Sequence, residues 1–407
     1  MGNPVDSTVH GTIIDFWRHP VPNVPVAIGD ALTMTDANGR FTIEGVAKQY
    51  DASFVIHWQN PDATYGWVFQ GLSRRDPTLQ VTRAFSDRET HFVVTQTHGD
   101  FTSSSATWRL AFGSDSGLLT SSPESNGIDV RPDWQGPSTN EWTVHSLFFQ
   151  LTGDLPTSYT AYQSEVVTST DGDAAHYLQM DLTAQSISSA NITGNVIQNT
   201  GVGRTNSVFV RFTSGGALPI VDAVDTSVAP YTYVVPQLAN GSITVAAAEE
   251  DLNADTYAVA HRDGHGPGET GVDLEIPAPA TPVTPTSGNM NVSDTTTFSF
   301  GAGDPDNSGY LVHIEDYNYY QGMYIVTSRR QFTLGDLPIV QGQFKLMPAE
   351  VHTWNVQTHG KFASTDDMAG PKGYLDAFAL GDERPEGPAN GDGSFTHSAL
   401  FGFKTAP

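Results

Sequence analysis

Short runs of β-branched and aromatic residues, separated by turn residues, constrain the fold of this chain more than any other feature. The runs recur about every 8–12 residues, and clusters of Gly, Pro, Asp, Asn and Ser stand between them. Helical periodicity is nearly absent, and residues 364–379 are the one stretch with a short helical pattern. This arrangement is typical of stacked β-sandwiches. We therefore predict an all-β fold of tandem β-sandwich domains, with more than about 40% strand and less than about 10% helix.

Turn spacing and a cluster of prolines divide the chain into four units. With 407 residues, the chain is long enough for two to four domains. We predict β-sandwiches at residues 1–98, 99–187, 188–276 and 286–407. Residues 277–285 hold four prolines and should form a stiff, extended linker with few contacts. Loop insertions around residues 362–394 would explain the greater length of the last unit.

The charge balance and the absence of cysteine exclude several classes of function. The net charge is −26, from 19 basic and 45 acidic residues, so no basic patch for nucleic acid is expected. Such acidity suits a protein from a salty environment, where ions screen self-repulsion, or simply a soluble exported protein. Without cysteine there is no disulfide, thiolate metal site or cysteine nucleophile. No apolar run approaches the roughly 18 residues of a transmembrane segment.

The first unit contains a pattern of strand and turn motifs within residues 9–58. A strand with Gly11-Thr12-Ile13 leads to a loop that ends in PNVPVAI, and Thr35-Asp36-Ala37-Asn38-Gly39-Arg40-Phe41 follows. Asn38-Gly39 predicts a tight hairpin turn. The pattern resembles the carboxypeptidase regulatory-like domain. That resemblance implies a transthyretin-like seven-stranded sandwich, an accessory module of secreted or surface proteins, with no catalysis. The third unit is loosely similar to the same module.

The last unit and the first residues carry two further resemblances. After the prolines, the strands TTFSF and YLVHI and the later segment MPAEVHTWNV resemble a fibronectin type III or immunoglobulin-like domain. The start Met1-Gly2-Asn3-Pro4 resembles a mature bacterial lipoprotein in which Met stands for the lipid-bearing Cys. We therefore expect a lipid anchor before residue 2 and a location at the outer cell surface or outside the cell.

One loop has the residue spacing of a calcium site. Asp304, Asp306 and Ser308 take places one, three and five of a calcium-loop pattern, and Glu315 takes place twelve. Oxygen ligands suit calcium, which is the one cofactor that the sequence suggests. However, strands rather than helices flank the loop, so Glu315 is not expected to fold back easily. An ordinary turn is the alternative interpretation. Residues 171–173 show a weaker pattern of the same kind.

Aromatic and histidine-rich segments give two further candidate sites. Tyr317, Tyr319 and Tyr320 cannot all face inward, so we predict surface contact with a ligand there. Most tryptophans of a sandwich belong to its core and not to stacking platforms for sugars. The segment 261–269 collects two His, one Asp and one Glu, which suit zinc, but a glycine-rich hairpin loop is the alternative. No hydrolase or phosphate-binding motif is present.

An eleven-residue segment occurs twice. HFVVTQTHGDF at residues 91–101 and HTWNVQTHGKF at residues 352–362 agree at six positions. Their two histidines are seven residues apart, an odd spacing that puts them on opposite faces of a strand. We interpret the repeat as a shared strand-to-turn segment and not as a metal site.

Together these features predict a non-enzymatic, exported bacterial surface protein with a structural or adhesive role. Its partner would be a protein or polysaccharide at the cell surface. A carbohydrate-binding accessory protein is one alternative. A subunit of an extracellular filament, which self-associates by pairing of edge strands between chains, is another.

Overall fold

This computed structural model is 62% strand and 2% helix, so nearly all of its regular secondary structure is β. The all-β class and its tandem sandwiches are thereby confirmed. The structure describes residues 7–15, 18–59, 62–82, 88–98, 106–114, 117–121, 127–134, 137–182, 185, 187–197, 203–225, 230–316, 321–337, 346–374 and 392–407.

The helical pattern of the sequence corresponds to the short helix α1 (Thr365–Met368). The Ser364 side chain accepts the backbone N–H of Asp367 and so caps the helix at its start. Positions 375–379 of the predicted stretch lie outside the described residues.

The first segment forms a sandwich of seven strands, the number that its family resemblance implied. One sheet has the order β4-β1-β7, and the strands β3-β2-β5-β6 face it. Phe41, Phe54, Trp67 and Phe69 fill the core between them. The strands are β1 (Val9–Ile14), β2 (Pro25–Ile28), β3 (Ala31–Met34), β4 (Arg40–Ile43), β5 (Tyr50–Gln59), β6 (Asp62–Leu72) and β7 (Thr78–Gln80).

The tight turn predicted at Asn38-Gly39 is present, because the N–H of Asp36 donates to the carbonyl of Arg40 at 2.8 Å and the N–H of Gly39 donates to the carbonyl of Asp36 at 2.9 Å. The hairpin part of that prediction is wrong, because the flanking strands β3 and β4 belong to different sheets. A two-residue type I′ hairpin needs a positive φ at both central residues, and here only Gly39 has one, at 68°. The Asp36 side chain instead accepts the N–H groups of Asn38 and Arg40 and turns the chain from one sheet to the other. The hairpin of this region joins β2 to β3 through Gly29 and Asp30.

The second segment forms a sandwich around an aromatic core. Its larger sheet has the order β11-β10-β14-β15, and we call it the β14 sheet. Phe92, Phe112, Trp134 and Trp142 pack in the core between this sheet and the sheet β12-β9-β16. The strands are β8 (Arg88–Glu89), β9 (Phe92–His98), β10 (Ala106–Ser114), β11 (Gly117–Ser121), β12 (Gly127–Val130), β13 (Asp133–Trp134), β14 (Thr139–Thr152), β15 (Leu155–Thr170) and β16 (His176–Leu182).

The remaining strands belong to the third and last segments. The third segment contains β17 (Ser189–Gly194), β18 (Val196–Ile197), β19 (Arg204–Phe212), β20 (Ala217–Asp225), β21 (Tyr231–Pro236), β22 (Gly241–Asp251), β23 (Thr256–His265) and β24 (Leu274–Glu275). The last segment contains β25 (Thr281–Thr284), β26 (Asn289–Val292), β27 (Thr297–Gly301), β28 (Tyr310–Asp316), β29 (Gln321–Thr327), β30 (Gln331–Thr333), the 3-10 turn Leu334–Asp336, β31 (Val351–His359), β32 (Gly393–His397) and β33 (Phe401–Thr405).

Three of the four segments contribute strands to one sheet, which we call the central sheet. Within the described residues it has 14 strands, in the order β20-β19-β22-β23-β32-β31-β28-β29-β6-β5-β2-β3, with β33 paired to β31 and β26 paired to β33. The pairing of β6 with β29 is parallel and joins the first segment to the last. The predicted unit boundaries stay a prediction, but backbone hydrogen bonds of the central sheet join the first, third and last units.

Both faces of the central sheet are covered where the first and last segments meet. Trp67 and Phe69 of β6 point into the core shared with β1, whereas Val68 points to the opposite core. That second core lies against the sheet β25-β27-β30 and includes Phe298 and Trp354. The alternation of side chains along each strand therefore feeds two cores at once.

The proline-rich segment is packed against the last unit. Its second half is β25, an edge strand that pairs with β27, and Ala280 is buried. The carbonyl of Ala278 accepts the N–H of Asp304, and the carbonyl of Pro285 accepts the indole N–H of Trp354. An edge position suits proline, which lacks a donor for a second neighbour.

Candidate functional site

The acidic loop at residues 304–309 connects β27 to β28 and is held by its own polar groups. Oδ1 of Asp304 accepts the N–H of Asp306 at 2.9 Å. The buried side chain of Asn307 donates to the carbonyl of Gly309 and accepts the N–H of Phe362 at 2.9 Å. These bonds fix the turn, in which Asp304 is buried while Asp306 and Ser308 are exposed.

A lysine of the same chain lies among the carboxylates of this loop. Nζ of Lys361 is 3.5 Å from Oδ2 of Asp304, 3.5 Å from Oδ2 of Asp306 and 3.6 Å from Oε2 of Glu275. Partial burial alone would lower the pKa of Lys361, but Asp304, Glu275 and Asp306 outweigh it and raise that pKa. A protonated ammonium therefore neutralises part of the negative charge that the calcium prediction relied on.

Glu315 does not join this loop. It lies near the end of β28, about 16 Å along the strand from Tyr310 at a rise of about 3.3 Å per residue. The Tyr65 hydroxyl donates to its Oε1 at 2.9 Å, and Nε2 of His313 lies 3.8 Å from its Oε2. The twelfth place of the pattern is therefore not filled, because an extended strand carries Glu315 away. Calcium binding by Asp304, Asp306 and Ser308 alone stays a prediction.

The other sequence candidates for metal sites are also held by internal partners. Asp171 lies 3.0 Å from Arg88, and Asp173 lies 3.6 Å from His176. In the segment 261–269, His261 is buried beside Asp263, while His265 bonds Glu269 at 2.7 Å. Among the described residues, no three His, Asp or Glu side chains form a group that could hold a metal ion.

The tryptophans whose side chains the structure describes belong to the cores, as the sequence predicted. Four tryptophans that could have served as stacking platforms are at most 6% exposed: Trp67, Trp108, Trp134 and Trp142. Three tyrosines with predicted surface contact lie outside the described residues, so their placement does not bear on that prediction: Tyr317, Tyr319 and Tyr320.

The histidines of the second repeat point to opposite faces of β31, as their spacing predicts. His352 stacks on Phe403, with ring centres 5.4 Å apart. His359 contacts Phe395 at 5.0 Å and Tyr374 at 5.5 Å. Both are buried, and burial lowers the pKa of His352. These imidazoles are packing residues within the sheet.

Two features at one end of the central sheet were missed in the sequence. The edge strand β3 exposes Leu32 and Met34, each 52% exposed. Beside it, a cleft of about 640 Å³ lies between the β2–β3 turn and the β29–β30 region. Three carboxylates and one guanidinium line the cleft: Asp30, Asp51, Asp336 and Arg329. In the sequence, the apolar residues after the Gly29-Asp30 turn could have indicated this exposed strand. However, the alternation of apolar residues along a strand does not show whether the strand lies at the edge of a sheet.

Comparison with known proteins gives no family assignment. No protein-family profile matches the chain, and no curated protein matches it. Solved structures give only weak likenesses, and at TM-scores this low they carry no argument about this chain.

Three of these structures illustrate the identities, coverages and TM-scores of the matches. The Bacillus anthracis TIE protein is 4% identical, with a TM-score of 0.17, over 66% of this chain and 50% of that protein, so the chain spans half its length. The shaft pilin SpaA of Lactobacillus rhamnosus GG is 8% identical, with a TM-score of 0.14, over 47% and 97%. The FN1–FN3 domains of chicken CNTN1 are 11% identical, with a TM-score of 0.17, over 80% and 97%.

Among the described residues, no helix is long and apolar enough to cross a membrane.

Proposed function

We propose that this chain is a non-catalytic structural or adhesive protein, exported to the surface of a bacterium. The central sheet carries this proposal, because it joins segments that are more than 250 residues apart in sequence. Gln321 pairs with Thr64, and Val326 pairs with Phe69, in the middle of the sheet. A strand bonded on both sides and buried on both faces resists local opening. Such construction suits a scaffold that must hold its shape while it is attached to something else.

The placement of the charged side chains supports a role without catalysis. Lys361, Arg88 and His265 each lie beside carboxylates of their own chain. Such pairs fix turns and strand ends of the fold.

The family resemblances of the sequence support export. Seven strands in two facing sheets are what a regulatory-like domain would have, and such domains are accessory modules of surface proteins. The lipid anchor before residue 2 belongs to the same proposal. Most tryptophan rings that the structure describes lie in cores. This placement favours a protein partner over a polysaccharide, since sugar binding commonly uses exposed aromatic faces.

Protease treatment of intact bacterial cells tests the proposal. The chain should be cleaved from intact cells, and it should fractionate with the cell envelope or the medium. Protection in intact cells, with cleavage only after lysis, would contradict export. A cytosolic protein of known abundance is the control for cell integrity.

A further inference from the structure

We propose that the edge strand β3 and the adjacent acidic cleft bind an extended, positively charged segment of another protein, which adds a strand to the central sheet. This inference rests on the proposed adhesive function and names the chemistry of its partner.

The backbone of β3 has bonding groups that face away from the sheet. Within the part of the chain that the structure describes, β3 is the last strand of the central sheet and pairs only with β2. Thr35 donates its N–H to Val24 at 3.0 Å, and an antiparallel ladder alternates bonded and non-bonded pairs. The N–H and C=O groups of Leu32 and Met34 are therefore directed outward, where an added strand would meet them.

The side chains of this edge are apolar and exposed on one face. Leu32 lies opposite Ala27 and Met34 opposite Pro25, so both point to the face that Ala27 shares with the second core. An incoming strand with an apolar residue at alternate positions would extend this face. Natural proteins usually protect such edges with Lys, Pro or a bulge, and β3 itself carries none of these.

The cleft beside this edge favours a cation. Asp51 is held by the N–H of Gly71, and Asp336 accepts the hydroxyl of Thr333 at 2.7 Å, so both carboxylates are fixed in place. Asp30 lies in the turn that leads into β3, and Arg329 is the single basic residue of the lining. The excess of carboxylates selects a Lys or Arg side chain on the incoming segment.

The same charges argue against a second copy of this chain as the occupant. The chain carries 45 acidic and 19 basic residues, so two copies repel each other at moderate ionic strength. A positively charged segment gains from the same field. Strand addition supplies backbone bonds, and the cleft and the apolar face supply selectivity.

The probe for the test is a fluorescein-labelled peptide of nine residues, with alternating Val and Thr and a Lys at each end. Fluorescence anisotropy with the full chain measures its affinity. One control peptide has Glu in place of both Lys, and another has Pro at its centre, which removes a backbone donor. We expect the Lys peptide to bind with an affinity that falls as salt is added. The Glu peptide should bind more weakly and without that fall, and the proline peptide should not bind.

Variants of the chain separate the edge from the cleft. Leu32→Glu with Met34→Glu keeps the surface acidic but removes the apolar contacts, and it should weaken binding at least about tenfold. Asp30→Asn with Asp336→Asn should weaken it less and reduce its salt dependence. Leu252→Glu and Asp154→Asn are the matched controls, because Leu252 is 82% exposed and Asp154 is exposed in a separate turn. Circular dichroism establishes that each variant is folded.

Several results would overturn the inference. These are no binding of the cationic peptide, equal binding of the proline peptide, or no effect of the Leu32 and Met34 changes. Light scattering tests a further outcome. If the wild type is a dimer and the variant with Leu32→Glu and Met34→Glu is a monomer, the edge binds a second copy of the chain. Protease accessibility on cells is independent of all these measurements, so failure of the surface assignment is distinguishable from failure of the peptide site.

Discussion

The chain joins its segments in two different ways. The first and last segments meet through β6 and β29, whose backbones pair over six residues within the central sheet. The second and third segments meet face to face, where the β14 sheet packs on the core of the third segment through Ala111, Leu147 and Phe149. We call these the sheet joint and the face joint. Backbone bonds specify the first, whereas individual side chains specify the second.

Close packing at the face joint is concentrated in a few groups. The ring of His145 stacks on Phe212 with centres 3.7 Å apart and lies 3.1 Å from the hydroxyl of Ser214. Next to it, the backbone of Gly113 contacts the backbone of Gly215. The stability of the sheet joint should therefore change little when side chains are replaced, because backbone hydrogen bonds hold it. The stability of the face joint should depend on the size and ionisation of each packed residue.

Gly113→Ala should cause the largest loss. The new Cβ would lie 2.1 Å from the carbonyl carbon of Gly215, and backbone cannot move aside as a side chain can. We expect a loss of about 3 kcal/mol or more in the free energy of unfolding, measured by urea titration. Gly127→Ala is the control, since its Cβ would make only ordinary contacts at 3.5 Å and beyond. Equal stability of the two variants would contradict a tightly packed face joint.

Acid should weaken the face joint through His145. Burial lowers the pKa of His145 to about 4, and a hydrogen bond with the backbone of Gly215 offsets part of this effect. In the unfolded chain the pKa is near 6.5, so between pH 6.5 and 4 the unfolded state binds more protons. The contribution of His145 to stability is therefore fully present above pH 6.5, and about 3 kcal/mol of it should be lost as the pH drops to 4.

His145→Gln is the variant that isolates this effect. Glutamine keeps hydrogen-bonding groups and does not titrate, so the slope of stability against pH should become shallower. Burial also lowers the pKa of His352 and His397, and these two remain in both proteins. The same slope for wild type and His145→Gln between pH 4 and 6.5 would show that the joint is insensitive to this imidazole.

Tyr65→Phe should weaken the sheet joint by a smaller amount. The change removes the hydroxyl that donates to Oε1 of the buried Glu315 and leaves the ring in the core. Loss of one partner from a buried acceptor costs about 1–2 kcal/mol, and the backbone pairing of β6 with β29 remains. Thermal melting compares it with Tyr177→Phe, where the ring is 79% exposed and no loss is expected. A loss larger than that of Gly113→Ala would reverse the order of the two joints.

Calcium should have the smallest effect, because Lys361 already lies among the carboxylates of the acidic loop. Excess calcium should raise the melting temperature of the wild type only slightly. The gain in the free energy of unfolding should lie well below the roughly 2.7 kcal/mol that a ligand supplies when its concentration is 100 times its dissociation constant. Lys361→Met removes the ammonium and should enlarge the response, and a further Asp306→Ala should abolish it. Lys372→Met, at an exposed position, is the control. If Lys361→Met melts identically with calcium and with a chelator, the loop is a plain turn.

The sequence predicted local structure well where chemistry acts over a few residues. Runs of β-branched residues and clusters of turn residues indicated strands, and an odd spacing placed His352 and His359 on opposite faces. At Asn38-Gly39 the same local reasoning found the turn but not the pairing of its strands, because the choice between a hairpin and a crossing to another sheet depends on what each strand pairs with. At Glu315 it succeeded, because the strand that the sequence predicted after the loop does carry this residue away from Asp304.

By itself, the sequence determined that this chain is an all-β protein with apolar residues on alternate faces of its strands. Only the tertiary structure decided that β6 lies beside β29, that Lys361 sits among Asp304, Asp306 and Glu275, and that β3 is left as an edge. The physical reason is that backbone hydrogen bonds are nearly the same for every pair of strands. Pairing over long distances is selected by which faces must be buried together, and a linear pattern does not contain that information.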